Sequence, residues 1–322
     1  MNKDTKSCIL CGQPTTLVKS LDQKTIKKNI IRHGILNNID MKIEDYDLIR
    51  CLSCGLEFSD PMVEPSSEFY KEITQLNNKY YADFRWEWGK TLSQLNNSQN
   101  LDNKKINLID VGCGSGFFLK YLRDNSNNIE AIGIDSTPSS IKTCKDKGLN
   151  ALCCTLDEFK LYSSEQIDII TFWHLLEHVA DPMHLVQTAQ KLVKLNGSIY
   201  FSVPLSPTYY ETIELHPLNL PPHHLTRWSI PSLLKLAEVS NSSIEFYFPK
   251  NESFIFRTLR SMVVLTKNEF SEKSKMQKFV NIVKLVFKSP FIPFKAMYLQ
   301  LIRPKYQQEV LPDVILVKLK KI

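Results

Sequence analysis

Three sets of residues in this sequence have the types and the spacing to do chemistry. The first is a pair of C-x-x-C-G runs, Cys8-Ile9-Leu10-Cys11-Gly12 and Cys51-Leu52-Ser53-Cys54-Gly55. In each, the glycine lets the chain fold back so that amide N–H groups point at the thiolates, which makes half of a tetrahedral metal site. Together the runs supply four sulfurs and leave no ligand position open. A single C-x-x-C would equally suit dithiol redox chemistry, but a doublet with matching glycines selects structural zinc on Cys8, Cys11, Cys51 and Cys54. The second set is Asp110-Val111-Gly112-Cys113-Gly114-Ser115-Gly116. Glycines allow a tight turn and a close approach of backbone to a ligand. A dinucleotide fingerprint would read G-x-G-x-x-G and aim a helix N-terminus at a pyrophosphate. Here the last glycine comes one residue early and an acid precedes the loop, so the ligand that suits it carries an ammonium group rather than phosphates. The third set is histidine: His174, His178 and the adjacent His223-His224. An unperturbed imidazole titrates at about 6.5, which suits base work at neutral pH, although a lone histidine after a strand is more often structural.

The elements that must position these residues are legible from periodicity. Ile106-Asn107-Leu108-Ile109 is a short apolar run of strand type leading into the glycines, and Phe117, Phe118, Leu119 and Tyr121 open a helix after them. Beyond it strand and helix alternate, which implies a parallel sheet with crossover helices. The pattern predicts strands at 106–109, 130–134, 151–153, 167–172, 198–203, 244–248 and 313–319, and helices at 138–147, 184–195 and 232–239. The expected fold class is α/β: a doubly wound, seven-stranded, mostly parallel sheet. In such a sheet Asp135, 19 residues beyond Gly116, ends the second strand beside the glycine loop and is placed to accept from two ribose hydroxyls. His174 and His178 follow the fourth strand; if that segment is helical, their one-turn spacing puts them on one face. Residues 1–62 read as a zinc-binding ribbon, with the polar stretch Lys19 to Lys28 as an inserted hairpin. Residues 63–103 are a helical connector, two helices over 66–96 and a polar linker from Asn96 to Asn103. The aromatic cluster at Tyr80 and Tyr81 either packs that connector or closes over the ligand. Residues 104–322 form the main domain, with a helical insertion at 250–311 before the last strand.

The run DVGCGSG closely resembles the first motif of class I S-adenosylmethionine (SAM) methyltransferases. The later block DIITFWHLLEHVADP, continued by LVKLNGSIYFSVP, resembles the group that includes ubiquinone-biosynthesis O-methyltransferases and antibiotic-sugar C-methyltransferases. Residues 105 to 240 carry that resemblance, and the paired-cysteine N-terminus is similar to the zinc-binding segment of the sugar C-methyltransferases. The resemblance implies a Rossmann-like methyltransferase fold that binds SAM through Asp110, Gly112, Cys113, Gly114 and Gly116. It implies Asp135 and Ser136 at the ribose, Thr155 and Leu156 under the adenine, and Trp173 and His174 at the end of the fourth strand. It further implies methyl transfer, at oxygen or carbon, to a small-molecule acceptor: a sugar, a lipid-linked sugar or another secondary metabolite. In the sugar C-methyltransferases a histidine at the position of His178 and a Glu-His pair at the position of His223-His224 serve the active site. His178 and His224 are kept here, and His223 stands where the glutamate would be. His178, His224 and His223 are therefore the implied catalytic residues, with Glu177 expected to cap or pair locally.

Composition bounds the rest. At 322 residues, 43% hydrophobic and 23% charged, the chain suits one large globular domain plus a smaller one. A net charge of +6 selects no partner by itself. The polar start, Met1 to Lys6, has no signal-peptide pattern, and no 18-residue apolar run free of charge occurs, so a cytoplasmic location is expected. Cys113, Cys144, Cys153 and Cys154 read as ordinary packing cysteines of a reducing compartment. Lys273 to Lys305 contains no acid, and interleaves Lys275, Lys278, Lys284, Lys288, Lys295 and Arg303 with apolar residues; Pro290 and Pro293 split it into two helices. A basic amphipathic pair reads as a peripheral contact with an anionic membrane, at the inner membrane surface, or alternatively as a lid or dimer helix. Two competing functions are an RNA methyltransferase that grips RNA through the zinc module and a non-catalytic SAM-binding scaffold. The ribbon is not strongly basic, which disfavours nucleic acid, and the intact acids and glycines disfavour a scaffold. The acceptor's identity and the oligomeric state leave no motif.

Overall fold

The structure is a computed structural model that describes residues 6–32, 43–76, 83–98, 105–162, 167–207, 211, 216–250, 254–265, 289–303, 305–306 and 309–322. The chain begins with β1 (Thr15–Leu21), α1 (Gln23–Arg32), β2 (Tyr46–Cys51) and β3 (Glu57–Asp60). β1 pairs antiparallel with β2, and β2 with β3. The stretch expected to be a hairpin, Lys19 to Lys28, is instead the end of β1 and the start of α1. The reason is local. Asp22 caps the helix, its carboxylate accepting from the Thr25 amide at 2.9 Å and from the Thr25 hydroxyl at 2.6 Å, and Ile26 and Ile30, one turn apart, are buried. The two connector helices are α2 (Ser67–Leu76) and α3 (Trp86–Ser98). Tyr80 and Tyr81 lie outside the described residues.

The main sheet is then laid down by β4 (Ile106–Val111), α4 (Phe117–Asn125), β5 (Ile129–Asp135), α5 (Pro138–Asp146), β6 (Ala151–Cys153), α6 (Leu156–Tyr162), β7 (Ile167–Trp173), α7 (Pro182–Leu192) and β8 (Val193–Pro204). After β9 (Thr226–Arg227) come α8 (Ile230–Val239), β10 (Ser242–Tyr247), α9 (Phe254–Leu265), α10 (Ile292–Leu301), β11 (Lys305–Tyr306), β12 (Glu309–Val310) and β13 (Val314–Lys321). The sheet order is β10-β13-β8-β7-β4-β5-β6. β4 to β8 pair in parallel, and β13 runs antiparallel between β8 and β10. This is the doubly wound, seven-stranded, mostly parallel sheet that the alternation predicts. Its order reverses between β5 and β7 about β4, so the connections after β4 and β7 leave a crevice at the C-terminal edge. Ile109, Ile170, Phe172 and Phe201 are fully buried in the strands, each stabilising the fold by roughly 1.5–3 kcal/mol. α3 and α4 pack Trp88, Leu92, Phe118 and Leu122 against Leu108, Ile169 and Tyr200. The turn expected at Asn196-Gly197 is a bulge inside β8. The register against β7 jumps between Ile167 and Ile169, and Asn196 takes φ 72°.

The chain divides into two compact units, one of Met1–Leu205, Pro217–Tyr247 and Val314–Ile322, the other of Ser206–His216 and Phe248–Asp313. In the second unit α9 and α10 pack on each other through Met262 and Ala296, with Leu259, Leu265 and Ile292 around them. Gln300 donates to the Ser261 hydroxyl at 2.6 Å. The helix expected before Pro290 falls at 273–288, outside the described residues. Among the described residues no helix is long and apolar enough to cross a membrane.

The ribbon sheet does not end at β3. β9 adds to it as a fourth strand, with Glu57 opposite Arg227 and Phe58 opposite Thr226, and the Ser59 amide donates to the Leu225 carbonyl at 2.8 Å. Glu57 and Arg227 are 5% and 7% exposed. Arg227 Nε lies 2.8 Å from Glu57 Oε2 as an ion pair without hydrogen-bond alignment, and Arg50 Nε donates to Glu57 Oε1 at 2.8 Å. Removing the carboxylate leaves a guanidinium buried without its counter-charge. Glu57→Ala is therefore expected to lose about 3–5 kcal/mol of stability, read by denaturant unfolding with an unchanged m-value. A loss under about 1 kcal/mol, the range of an exposed pair, would show that the pair does not hold β9 onto the ribbon sheet.

Candidate active site

The glycine run forms the β4–α4 connection. Gly112, Gly114 and Gly116 take φ of 69°, 51° and 76°, the left-handed region that side chains rarely adopt. At Gly116 a Cβ would also lie 2.6 Å from Leu149 Cδ1 and 2.8 Å from Cys144 Sγ, so only glycine lets α4 start this close to α5. Cys113 is buried among Leu119, Ile141 and Cys144. Asp135, at the end of β5, closes the loop: Oδ2 accepts from the Gly114 amide at 2.9 Å and Oδ1 from the Thr137 amide at 2.8 Å. Asp110 lies at the base, 1% exposed, and accepts from the Thr171 hydroxyl of β7 at 2.8 Å. Burial, with the charge of Asp135 adding to it, pushes the Asp110 carboxyl up to about 8 against the opposing Thr171 bond. Ser136 is exposed beside Asp135. Thr155 caps α6, its hydroxyl accepting from the Glu158 amide at 3.2 Å and its own amide donating to the Glu158 carboxylate at 2.7 Å. Leu156 is buried.

After β7 the chain turns instead of becoming helical. His174 has φ 50°, which breaks the helical geometry that would have put His174 and His178 on one face, and the two rings go separate ways. His174 Nε2 bonds Glu87 Oε1, on α3, at 3.3 Å, and Nδ1 lies 3.3 Å from Glu177 Oε1. Both carboxylates are 2% exposed. Burial opposes a charge on His174, but Glu177 and Glu87 outweigh it and hold the ring above its ordinary pKa. Burial likewise opposes the Glu177 carboxylate, and His174 and His178 outweigh that, holding it below its ordinary value. Glu177 thus pairs locally, as expected. Glu87 escaped the sequence reading; its signal was an acid between two tryptophans, Trp86 and Trp88. Trp173 packs edge-on against Phe118 at 4.9 Å, and its buried indole N–H has no acceptor among the described residues.

His178 faces His223 and His224. Its ring centroid is 4.5 Å and 4.8 Å from theirs, and theirs are 4.7 Å apart. His178 Nδ1 bonds the His223 carbonyl at 2.6 Å, and His223 Nδ1 bonds the Leu218 carbonyl at 2.8 Å. A carbonyl only accepts, so both Nδ1 atoms carry the hydrogen. Burial lowers the pKa of His178, and burial with the neighbouring imidazoles lowers that of His224. The Glu177 carbonyl accepts from the Leu225 amide at 2.8 Å and the Thr226 amide at 3.1 Å, which staples the turn after β7 to β9. The three histidines named from sequence therefore stand together, and His174 stands apart.

The four N-terminal cysteines also converge. Cys8 Sγ and Cys54 Sγ are 3.7 Å apart, and Cys11 Sγ and Cys51 Sγ 3.5 Å. Zinc–sulfur bonds of about 2.3 Å set tetrahedral sulfurs about 3.8 Å apart. The Leu10 amide donates to Cys8 Sγ at 3.4 Å, and the Ser53 and Cys54 amides to Cys51 Sγ at 3.4 and 3.3 Å. The donor set fits a closed four-thiolate zinc centre.

Comparison with known proteins places this geometry. Residues 84–243 match the model of a methyltransferase domain family. A methyltransferase domain thus spans residues 84–243 of the chain. The ubiquinone biosynthesis O-methyltransferase of Histophilus somni is 32% identical over 114 residues, which are 33% of this chain and 47% of that protein. The protein of the same name from Bordetella avium is 29% identical over 145 residues, 43% of this chain and 54% of that one. The chain spans about half the length of the curated relatives it matches. The plantazolicin methyltransferase BamL, solved with a triazolic desmethylPZN analog and SAH, aligns with a TM-score of 0.50 at 18% identity, covering 79% of this chain and 91% of that one, a likeness of fold. SAM is the cofactor that this methyltransferase domain implies, and the residues present fit it: the buried acid Asp110 would face an ammonium group, and Asp135, at the end of β5, would face ribose hydroxyls.

A buried acid that takes a ligand ammonium would make binding pH-dependent. With its pKa near 8, Asp110 holds a proton at neutral pH longer than the unfolded chain does. Its contribution to the stability of the unliganded fold therefore falls as pH rises from the ordinary carboxylate range through about 8. A ligand ammonium needs the carboxylate, so binding near neutrality expels a proton. SAM affinity should rise by up to about tenfold per pH unit and level off above Asp110's pKa. Calorimetry in buffers of differing ionisation enthalpy should read the proton release, and a heat independent of buffer would remove Asp110 from the ligand.

Proposed function

We propose that this chain transfers the methyl group of SAM to a small-molecule acceptor, such as a sugar, a lipid-linked sugar or another secondary metabolite, at oxygen or carbon. One observation carries the reading. The Asp135-closed glycine loop and the histidine cluster follow neighbouring parallel strands, and both open at the same C-terminal edge. When bound, SAM supplies a methyl group already activated on a sulfonium. Asp110 takes its ammonium group, the loop of Gly112, Cys113, Gly114 and Gly116 lies against it, Asp135 and Ser136 take the ribose, and Thr155 and Leu156 take the adenine. Trp173 and His174 flank it, with the His174 ring held by Glu87 and Glu177. His178, His223 and His224 hold and activate the acceptor, and the structure around them keeps water from the reacting atoms. The four cysteines hold a structural zinc ion, and the β3–β9 pairing ties that centre to the segment that bears His223 and His224.

The deciding experiment transfers labelled methyl from SAM to fractionated cell extract. Label is expected in the small-molecule, sugar or lipid fraction. Label confined to RNA would overturn the acceptor class, and no label in any fraction would favour a binding protein without catalysis. Asp135→Ala should weaken SAM binding by about 10- to 100-fold, the loss of charge-assisted hydrogen bonds, with the fold intact by circular dichroism although the bonds from the Gly114 and Thr137 amides are lost. Unaltered affinity by calorimetry would refute the ribose assignment.

A peripheral contact of the second unit with an anionic membrane belongs to the same proposal. α10 buries Ala296 and Gln300 and leaves Phe291, Phe294, Met297, Tyr298 and Leu301 exposed at 82%, 70%, 43%, 60% and 71%. These lie within a stretch, Lys273 to Lys305, that has basic residues and no acid. Large apolar side chains outward, with cations beside them, suit a headgroup boundary. Phe291→Ser with Phe294→Ser should abolish co-flotation with phosphatidylserine-containing vesicles. Absence of flotation by the unaltered chain would end the idea.

A further inference from the structure

We propose that His178, His223 and His224 form a binding site for one divalent transition-metal ion of the zinc class, with a coordination position left for an oxygen of the acceptor. This deepens the reading above and rests on it only in placing the acceptor at this edge of the sheet.

One ring nitrogen of each histidine lies within 4.8 Å of those of the other two. The Nδ1–H groups of His178 and His223 are spent on backbone carbonyls at 2.6 and 2.8 Å. Donation from the far nitrogen to a carbonyl is the arrangement that fixes the tautomer and ring orientation of metal-binding imidazoles. For His178 the nitrogen left to offer an ion is then Nε2. Rings packed this closely share protons badly, because a proton on one opposes a proton on the next. A dication placed among them satisfies all three at once. Tetrahedral coordination sets nitrogens about 3.3 Å apart, so the rings close by at most about 1.5 Å.

Charge and packing agree. Glu177, the residue before His178, is 2% exposed; its carboxylate pairs with His174 at 3.3 Å and, with no aligned hydrogen bond among the described residues, its charge also bears on an ion beside it. The rings are held in place from outside: Tyr70 stands 6.1 Å from His178 and 6.3 Å from His223, and Phe69 6.3 Å from His223. Imidazole donors suit zinc, cobalt and nickel, and three protein ligands with one open position are the pattern of a site that does chemistry. The cysteine centre is the opposite case, all sulfur and closed, so the two ions are separable by their donors.

The test uses the full-length chain without methyl acceptor. Zinc-loaded protein, dialysed free of excess metal, should carry two ions per chain by elemental analysis. Cys51→Ser with Cys54→Ser should remove one, and His223→Ala with His224→Ala the other. Cobalt(II) added to chain already holding zinc at the cysteines should give visible d–d absorption without the sulfur-to-cobalt charge-transfer band. That spectrum should vanish in His178→Ala. SAM affinity, measured on each histidine variant, reports that the variant is folded. One ion per chain, with cobalt giving only the thiolate spectrum, would overturn the proposal, as would two ions that persist in the histidine variants. The wild-type spectrum decides the matter even where a variant fails to fold. Because no methyl transfer is measured, failure of this site and failure of the acceptor reading remain distinguishable.

Discussion

The buried carboxylate of Glu57 joins two parts of the protein that sequence alone keeps apart. It is faced by Arg227 of β9 and bonded by Arg50 of β2, and β9 continues the ribbon sheet with Glu57 opposite Arg227. Two guanidiniums around one carboxylate satisfy charges that would otherwise be costly to bury, and their fixed geometry sets a register that apolar packing alone would leave loose. His223 and His224 lie within four residues of Arg227, and the Leu225 and Thr226 amides bond the Glu177 carbonyl beside His178. The cysteine centre, the ribbon sheet and the histidine cluster are therefore one connected assembly. A metal held by Cys8, Cys11, Cys51 and Cys54 would bear on where the histidines stand, although its own ligands would be closed to chemistry.

Around the crevice the protein buries ionisable groups that it would elsewhere leave in water. Asp110, Glu87 and Glu177 are each at most 2% exposed, and His174 sits between two of them in a left-handed backbone conformation. A non-glycine residue there costs of order 1–3 kcal/mol and persists only where its surroundings fix it. Here the two flanking carboxylates do so. Titratable groups gathered by burial and specific partners mark a functional site rather than a stable core. The same reasoning separates the acids by their partners. Glu87 and Glu177 face a histidine, whereas Asp110 accepts from the neutral hydroxyl of Thr171.

Much of this was legible from sequence because it depends on short-range pattern. Strand-type runs such as Ile106 to Ile109 bury their side chains within one sheet, and the glycines of the loop answer to local backbone geometry. Asp135 could be placed because one helix and one strand have a nearly fixed reach. The failures share a cause. Lys19 to Lys28 reads as polar, but Asp22 caps it and the sparse pair Ile26 and Ile30 is enough to anchor a helix against the ribbon. His174 to His178 has helical spacing, yet His174 takes φ 50° and its ring bonds Glu87, 87 residues earlier in the chain. Thr226-Arg227 is two residues long and becomes a strand only because Glu57 and Phe58 are there to pair with it. Each depends on a partner distant in sequence, which no local period records.

Methyl transfer to a hydroxyl displaces charge in a defined way. The sulfonium becomes a neutral thioether as the S–CH3 bond breaks, the O–CH3 bond forms, and the acceptor's proton has to leave. On the donor side His174 already balances Glu87 and Glu177. On the acceptor side the demand is different, for a proton must be removed before or during attack. A lone base would be best placed near solvent, free of like-charged neighbours. The structure instead gathers three imidazoles within 4.8 Å, locks two of them by backbone carbonyls, and buries His223 and His224. That crowding works against a single ring taking up charge, and it favours lowering the acceptor's own pKa by a positive centre that the three rings hold in common.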